Sequence, residues 1–453
     1  MEQVNKILPT HIIFGLGKSG LSCARYFDRI SQPYYLVDSR NQPPGQDQVD
    51  TLSFCQGIEF GTIDESLLET CEQLVVSPGV ALTTDFVIKA IKAGIDVCGD
   101  VELFARTCNK PIVAITGSNG KSTVTDLADK LINAANIDCQ KGGNIGLPVL
   151  DFLPEMDADI YILELSSFQL DTTESLKAEV AVCLNITEDH MDRYQTFNDY
   201  VKSKQKIFRQ AHFSIFNRDD QLTYPSNIFS DNAWSFSLIE PSENDERTNF
   251  LKKTDDGNKL VVNDQAILST QKLNITGKHN WSNVLASLTI LKCLAIKITE
   301  PILEELMAYK GLKHRFQLVS RKNNCEWIND SKATNVGATV AALNSLDLSS
   351  KQKVTLIAGG DSKQSDLTPL IEPLNNIVSH LILMGIDAEK IAQLPIQASP
   401  HFVEDMKQAV TKASELVSQG DIVLLSPACA SLDMYSSFEA RGEAFIEAVR
   451  ECA

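Results

Sequence analysis

Short runs rich in Val, Ile and Leu, bounded by turn residues, alternate along the chain with stretches whose apolar residues recur at helical spacing. The runs are His11 to Gly15, Tyr34 to Asp38, Gln73 to Ser77, Pro111 to Thr116, Asp159 to Leu165, Glu179 to Ile186, Lys353 to Gly360, His380 to Gly385 and Asp421 to Pro427. They are apolar nearly throughout rather than every second residue, which predicts parallel strands covered on both faces. Val403, Met406, Val410, Ala413 and Val417 share one face of a predicted helix with Gly420 just beyond its end. Further helices are predicted over 100–107, 280–296 and 300–309. The stretch 225–268 is polar and irregular, with turn material at 243–247 and 255–258, and predicts loops with a small antiparallel hairpin. The pattern is that of α/β units laid end to end.

At 453 residues the chain has length for about three domains. Breaks are expected after residue 99, where a helix leads into a new strand, and after residue 311, beyond the 300–309 helix. This gives three α/β domains: a Rossmann-like domain over 1–99, a central P-loop-type ATPase domain with a parallel sheet over 100–311, and a second Rossmann-like domain over 312–453.

Composition narrows the class. With 43% hydrophobic and 22% charged residues, collagen, coiled coil and wholesale disorder are excluded. A net charge of −18 works against sequence-independent nucleic-acid binding, so an anionic ligand needs a local site. Eleven scattered cysteines without a CxxC pair signal neither a zinc ribbon nor a disulfide framework. No apolar run approaches 18 residues and the N-terminus lacks a signal-like core, so a soluble cytoplasmic protein is expected.

Two glycine-rich turns carry the chemistry. Gly15-Leu16-Gly17-Lys18-Ser19-Gly20 follows a strand and opens a helix, with Asp38 ending the next strand. Such a turn lets a pyrophosphate approach the helix N-terminus while the acid accepts from a ribose hydroxyl. A nicotinamide or flavin dinucleotide, another nucleotide diphosphate, or a turn without a ligand all fit. The second turn, Thr116-Gly117-Ser118-Asn119-Gly120-Lys121-Ser122-Thr123, predicts nucleoside triphosphate binding. Backbone N–H groups cradle the phosphates, Lys121 reaches the outer ones, and Ser122 or Thr123 faces Mg²⁺. Ile115 stands where a strict Walker motif has its first glycine.

Further candidates follow at strand ends. Glu164 is placed to ligate Mg²⁺ or to be a solvated strand end, and Asn185 to Asp192 cluster oxygen and nitrogen ligands around His190. Lys202, Lys204 and Lys206 read as a solvated basic helix face.

Taken together, these residues resemble the ATP-dependent Mur ligases. The likeness extends to Ser77-Pro78-Gly79, Gly142 to Gly146, Leu163 to Leu170, Asn329 to Asn335 and Leu425 to Ser431, and it points to the D-glutamate-adding branch. It implies a ligase of peptidoglycan precursor synthesis that joins D-glutamate to UDP-N-acetylmuramoyl-L-alanine with ATP and two Mg²⁺ ions, working as a cytoplasmic bacterial monomer. The implied nucleotide-sugar contacts are Lys18, Ser19, Ser39, Arg40, Gly79, Asn144 and His190. Those for ATP are Gly117 to Thr123, Asn283, Arg315 and Asp330, and those for D-glutamate are Thr334, Lys363, Ser431 and Phe438. Ser122, Glu164, His190 and a carbamylated Lys204 would hold metal, and Lys121 and Lys332 would offset charge in the transfer. Cys429 is expected to be a packed loop residue. Two other readings predict different biochemistry: a superfamily ligase for another amino acid or a folylpolyglutamate synthetase, and a nicotinamide-dependent oxidoreductase.

Overall fold

In a computed structural model of the chain, residues 9–152, 158–191, 193–226, 230–242, 246–322, 324–346, 348 and 352–452 are described. Asp192 and the turn residues 243–245 lie outside them. The apolar runs become the inner strands of three sheets, one in each third of the chain.

The first sheet is parallel and ordered Cys55–Phe60, Tyr34–Asp38, His11–Phe14, Gln73–Val76, Asp96–Cys98. Strand order reverses between His11–Phe14 and Gln73–Val76, so the turns after both strands face one crevice at their C-terminal ends, where α/β sheets receive ligands.

The second sheet has nine strands, with Ile112–Thr116 between Val180–Cys183 and Ile160–Glu164. One face is covered by the helices Lys121–Ala134 and Lys278–Cys293, with Leu127, Leu131, Val284 and Leu288 fully buried. On the other face, Ala114, Tyr161 and Leu163 share a cluster with Phe104, Phe152 and Phe27. That cluster includes side chains from the first sheet's layer, so the first two units are packed through one continuous core.

The stretch 225–268 holds the expected antiparallel hairpin, Thr248–Thr254 with Gly257–Val262 about the turn at 255–256, but contains more strand than expected. Ala233–Ser237 and Thr248–Thr254 add parallel strands to the central sheet, and Gly257–Val262 and Gln265–Ser269 extend it as an antiparallel meander. These strands lie toward one end of the sheet and carry polar residues, so they lack the continuous apolar signature of the inner ones.

The third sheet runs Gln317–Lys322, Cys325–Asn329, Ile422–Leu425, Val354–Ala358, Val378–Leu383, Pro400–Phe402, parallel except for its first pair. It has its own apolar clusters on its two faces. The predicted helix is observed over Met406–Leu416, with Met406, Val410 and Ala413 buried. Among the described residues, no helix is long and apolar enough to cross a membrane.

Candidate active site

The phosphate-loop motif joins the strand Ile112–Thr116 to the helix Lys121–Ala134. Gly117 and Gly120 have φ of 154° and 83°, and a Cβ on Gly120 would strike the Asn283 amide, so the loop presses against the helix Lys278–Cys293. Asn119 N donates to Asn185 Oδ1 at 2.8 Å, and Ser118 Oγ lies 2.9 Å from Thr187 O and 3.0 Å from the Tyr200 hydroxyl. The neighbouring strand end therefore fixes the conformation of the loop, and Ser118 serves as its staple.

Glu164, 1% exposed, sits beside it at the end of Ile160–Glu164. Asn144 Nδ2 donates to Glu164 Oε1 at 2.8 Å and Asn144 N donates to the Glu164 carbonyl, also at 2.8 Å. Oε2 is buried with no hydrogen-bond partner. A buried carboxylate oxygen left bare is costly, and it matches a position for a cation. Among the described residues no three His, Cys, Asp or Glu side chains group as a metal site. A metal bound here would need ligands such as the Ser122 hydroxyl, phosphate oxygens or a modified side chain.

Four basic side chains converge on this carboxylate. Lys121, Lys204, Arg315 and Lys332 are all held below their ordinary pKa, by burial first. Arg315 adds to the effect on Lys121, and Lys121 does so on Lys204 and Lys332. Lys121 Nζ donates to Gly117 O and Ser118 O. Arg315 reaches from the connector after Gly311 to Ser122 Oγ at 2.8 Å. Lys332 Nζ lies 4.3 Å from the centre of the Phe438 ring.

Lys204 corrects the expectation of a solvated lysine face. It is 2% exposed at the end of the helix Phe197–Gln205, its Nζ donates to Gly117 O at 2.9 Å, and its pKa is pushed down to about 7. Its neighbours differ: Lys202 is exposed, and Lys206 pairs with Asp171.

A cleft of about 830 Å³ opens between the three units, lined by Lys18, Ser19, Ser39, Arg40, Gly79 and Asn144 on one side and Arg315, Lys332 and Phe438 on the other. Asp38 does not present a free carboxylate to it. One oxygen accepts from Leu16 N at 2.7 Å, and both are gripped by the Arg40 guanidinium. Burial works against its charge, but these partners hold its pKa below the usual range. The acid thus shapes the glycine turn and aims Arg40.

His190 has a positive φ of 56°, lies half-exposed with Nε2 3.7 Å from Asp189, and meets the Phe168 ring edge-on at 4.9 Å. Asp330 spends both oxygens on the Phe316 N–H and the Ser426 hydroxyl, and burial raises its pKa to about 7. Thr334, Lys363 and Ser431 do not line the cleft. Lys363 and Ser431 sit on loops joined by an Asp361 to Ala430 bridge. Cys429 is fully buried.

Periodicity and motif spacing missed several supports. Arg193 stacks over Phe168 at 4.3 Å and donates to the carbonyls of Pro78, Gly79 and Val80, tying the central unit to the first. Buried Arg441 donates to Ser331 and to the carbonyls of Cys429 and Ala430. Neither stands in a glycine-rich or strand-end motif, and only the fold brings their partners near.

Three family models match in succession: the Mur ligase MurD-like N-terminal domain over residues 9–99, the Mur ligase middle domain over 115–291 and the Mur ligase glutamate ligase domain over 314–429. The chain is 44% identical over 446 residues to the UDP-N-acetylmuramoylalanine–D-glutamate ligase of Shewanella oneidensis, covering 98% of each. It is 42% identical over 436 residues to that of Haemophilus influenzae, covering 96% of each. In fold it is similar to the MurF ligase of Thermotoga maritima solved in complex with ADP, with a TM-score of 0.62 at 17% identity over 99% of this chain and all of that one. With three consecutive domain matches and relatives this similar along nearly their whole length, the chain belongs to the Mur ligase family, among its UDP-N-acetylmuramoylalanine–D-glutamate ligases.

Proposed function

We propose that the clustered cations and Glu164 carry out the family's reaction: ATP-dependent addition of D-glutamate to UDP-N-acetylmuramoyl-L-alanine in peptidoglycan precursor synthesis. The observation that carries this reading is the convergence of Lys121, Arg315 and Lys332 on one buried carboxylate at a strand end, beside the phosphate loop that opens the helix Lys121–Ala134. Three cations drawn out of water are unfavourable alone and suit a polyphosphate. The adjoining cleft runs to the first glycine turn, where Lys18, Ser19, Ser39, Arg40 and Gly79 would take the UDP end. We place the unit boundaries at 99/100 and 311/312, and read a cytoplasmic monomer whose eleven cysteines are free thiols.

A carboxylate is a poor electrophile, so it must be activated before an amine can attack. An oxygen of the L-alanine carboxylate attacks the γ-phosphorus of ATP, the bond to the bridging oxygen breaks, and ADP leaves. Lys121 and the phosphate-loop N–H groups hold the phosphates, with Asn283, Asp330 and Arg315 on the nucleotide side. Lys332 offsets charge on the transferred group. The amine of D-glutamate, held by Thr334, Lys363, Ser431 and Phe438, then attacks the acyl carbon, and phosphate departs as the amide forms. Because Arg315 and Lys332 come from beyond residue 311, complete charge compensation requires the third unit to be seated on the phosphate loop.

The bare Glu164 Oε2 and the adjacent Ser122 hydroxyl fit Mg²⁺, and His190 with a carbamylated Lys204 would hold a second ion. Bound there, Mg²⁺ supplies charge that lets two anions approach. The test is phosphate release from ATP across a panel of amino acids, with and without the nucleotide sugar. Release should require UDP-N-acetylmuramoyl-L-alanine and D-glutamate together; release with another amino acid, or with neither, overturns the reading.

A further inference from the structure

Arg193 follows the Asn185 to Asp192 segment of the central unit, and its N–H closes a turn onto the His190 carbonyl at 2.9 Å. Its guanidinium lies 4.3 Å from the centre of the Phe168 ring. The same ring meets His190 edge-on and stacks with Tyr194, whose hydroxyl donates to Asp171 at 2.9 Å. Phe168 belongs to the helix Ser167–Asp171, which comes soon after Glu164. Arg193 is thus anchored by the segments that carry Glu164 and His190.

From this anchor the guanidinium reaches the turn after the strand Gln73–Val76, in the first unit. Nη1 donates to Gly79 O at 3.3 Å, and Nη2 donates to Pro78 O at 3.4 Å and to Val80 O at 3.1 Å. A planar fork with several donors suits three acceptors on one short arc, which a single ammonium does not. A trans peptide sets each N–H opposite the carbonyl before it. With these three carbonyls turned to the guanidinium, the N–H groups of Gly79, Val80 and Ala81 leave on the other side. Val80 N is spent on Ser77 O at 2.9 Å, and those of Gly79 and Ala81 meet no acceptor among the described residues.

The two sides of the turn face different spaces. Gly79, Val80 and Ala81 line the large cleft, and Arg193 does not. Arg193 lines instead a small cavity of about 60 Å³ behind the turn, together with Pro78 and Phe168. Backbone N–H groups presented by one turn make a seat for an electronegative ligand. We propose that Arg193 is a positioning residue for nucleotide-sugar binding: by gathering the carbonyls of residues 78–80 behind the turn, it presents the N–H groups of Gly79 and Ala81 to acceptor oxygens of the nucleotide sugar in the cleft. This rests on the placement of the nucleotide sugar given above.

Calorimetry on the full chain reads the Kd for UDP-N-acetylmuramoyl-L-alanine and that for ATP, with kcat measured alongside. Arg193→Met keeps a stem over Phe168 and removes the donors. It should raise the nucleotide-sugar Kd by roughly tenfold, while the ATP Kd stays within about twofold and kcat at saturation within about threefold of native. Arg193→Lys keeps the charge without the fork and should raise the same Kd alone, by about threefold. An unchanged nucleotide-sugar Kd in Arg193→Met, or a rise matched by that for ATP, overturns the proposal. Arg40→Ala, on the cleft side, tests the placement separately and should weaken nucleotide-sugar binding by at least about fivefold. No weakening there overturns the placement itself, whereas weakening in Arg40→Ala without weakening in Arg193→Met overturns only the role given to Arg193. If Arg193→Met does not fold, Arg193→Lys decides by the same comparison of the two Kd values.

Discussion

Asn144 holds Glu164 at two points, its amide nitrogen on the carboxylate and its backbone N–H on the carbonyl, both at 2.8 Å. One carboxylate oxygen is thus fixed and the other left bare, which orients Glu164 as a ligand. Asn144→Ala should release the side chain and raise the Mg²⁺ concentration needed for half-maximal phosphate release by about tenfold, within the range for residues that orient metal ligands. Asn144→Asp should be worse, because a second carboxylate beside the first opposes its ionisation. A Mg²⁺ titration of each variant checks both.

Arg315 donates to Ser122 Oγ across the junction of the third unit with the phosphate loop. Charged hydrogen bonds of this kind contribute about 1.5–3 kcal/mol, so Arg315→Ala should lower kcat/KM for ATP by roughly 10- to 100-fold. Arg315→Lys keeps the charge but loses the planar fork, and should recover only part of the loss. Steady-state kinetics with ATP as the varied substrate reads the difference.

Much of this site was legible in the sequence because its key residues sit at turns that only glycine and strand-end chemistry produce. The loop at 116–123 and Glu164 both follow apolar strands that the hydrophobic pattern located. Lys204 was not legible from charge pattern alone: three lysines at spacing two look alike, and only packing against Tyr200 and Gly117 separates the buried one from the solvated Lys202. Asp38 had the right position for a ribose acid, but the sequence could not show that Arg40, two residues on, would fold back and occupy it. The hairpin about 255–256 was legible from its turn residues, but the flanking polar strands Ala233–Ser237 and Gln265–Ser269 were not, because pairing with a sheet already built, rather than their own pattern, makes them strands.

Lys204 predicts a pH-dependent modification. Carbon dioxide adds only to a neutral amine, forming an N–C bond as the amine loses a proton. With the pKa lowered to about 7 by burial and by Lys121, the neutral form dominates above pH 7 and is lost as pH falls below it. Native protein in ¹³C-bicarbonate should show a carbamate resonance above pH 7 that weakens toward pH 6, and Lys204→Ala should show none at any pH. Activity of Lys204→Ala should fall at least about 100-fold and return in part when a short carboxylic acid is added, which supplies an anionic ligand in place of the carbamate.

Gly20 tests how the first turn is built. A Cβ there would fall onto the Gly15 carbonyl oxygen, so the helix Lys18–Arg29 can lie this close to the strand His11–Phe14 only with hydrogen at this position. Ser77 Oγ, which donates to the same carbonyl at 2.7 Å, would be displaced as well. Gly20→Ala should therefore destabilise the protein by about 1–3 kcal/mol, the usual range for overpacking, seen as a lower denaturant midpoint with an unchanged slope. Because Ser19 and Lys18 move with the helix start, the same variant should raise the KM for the nucleotide sugar while leaving that for ATP near native, since the phosphate loop belongs to a different sheet. Gly79, where a Cβ would meet nothing within 4 Å, is the matched control: Gly79→Ala should keep native stability, so a loss confined to Gly20→Ala assigns the effect to helix–strand approach rather than to replacing a glycine.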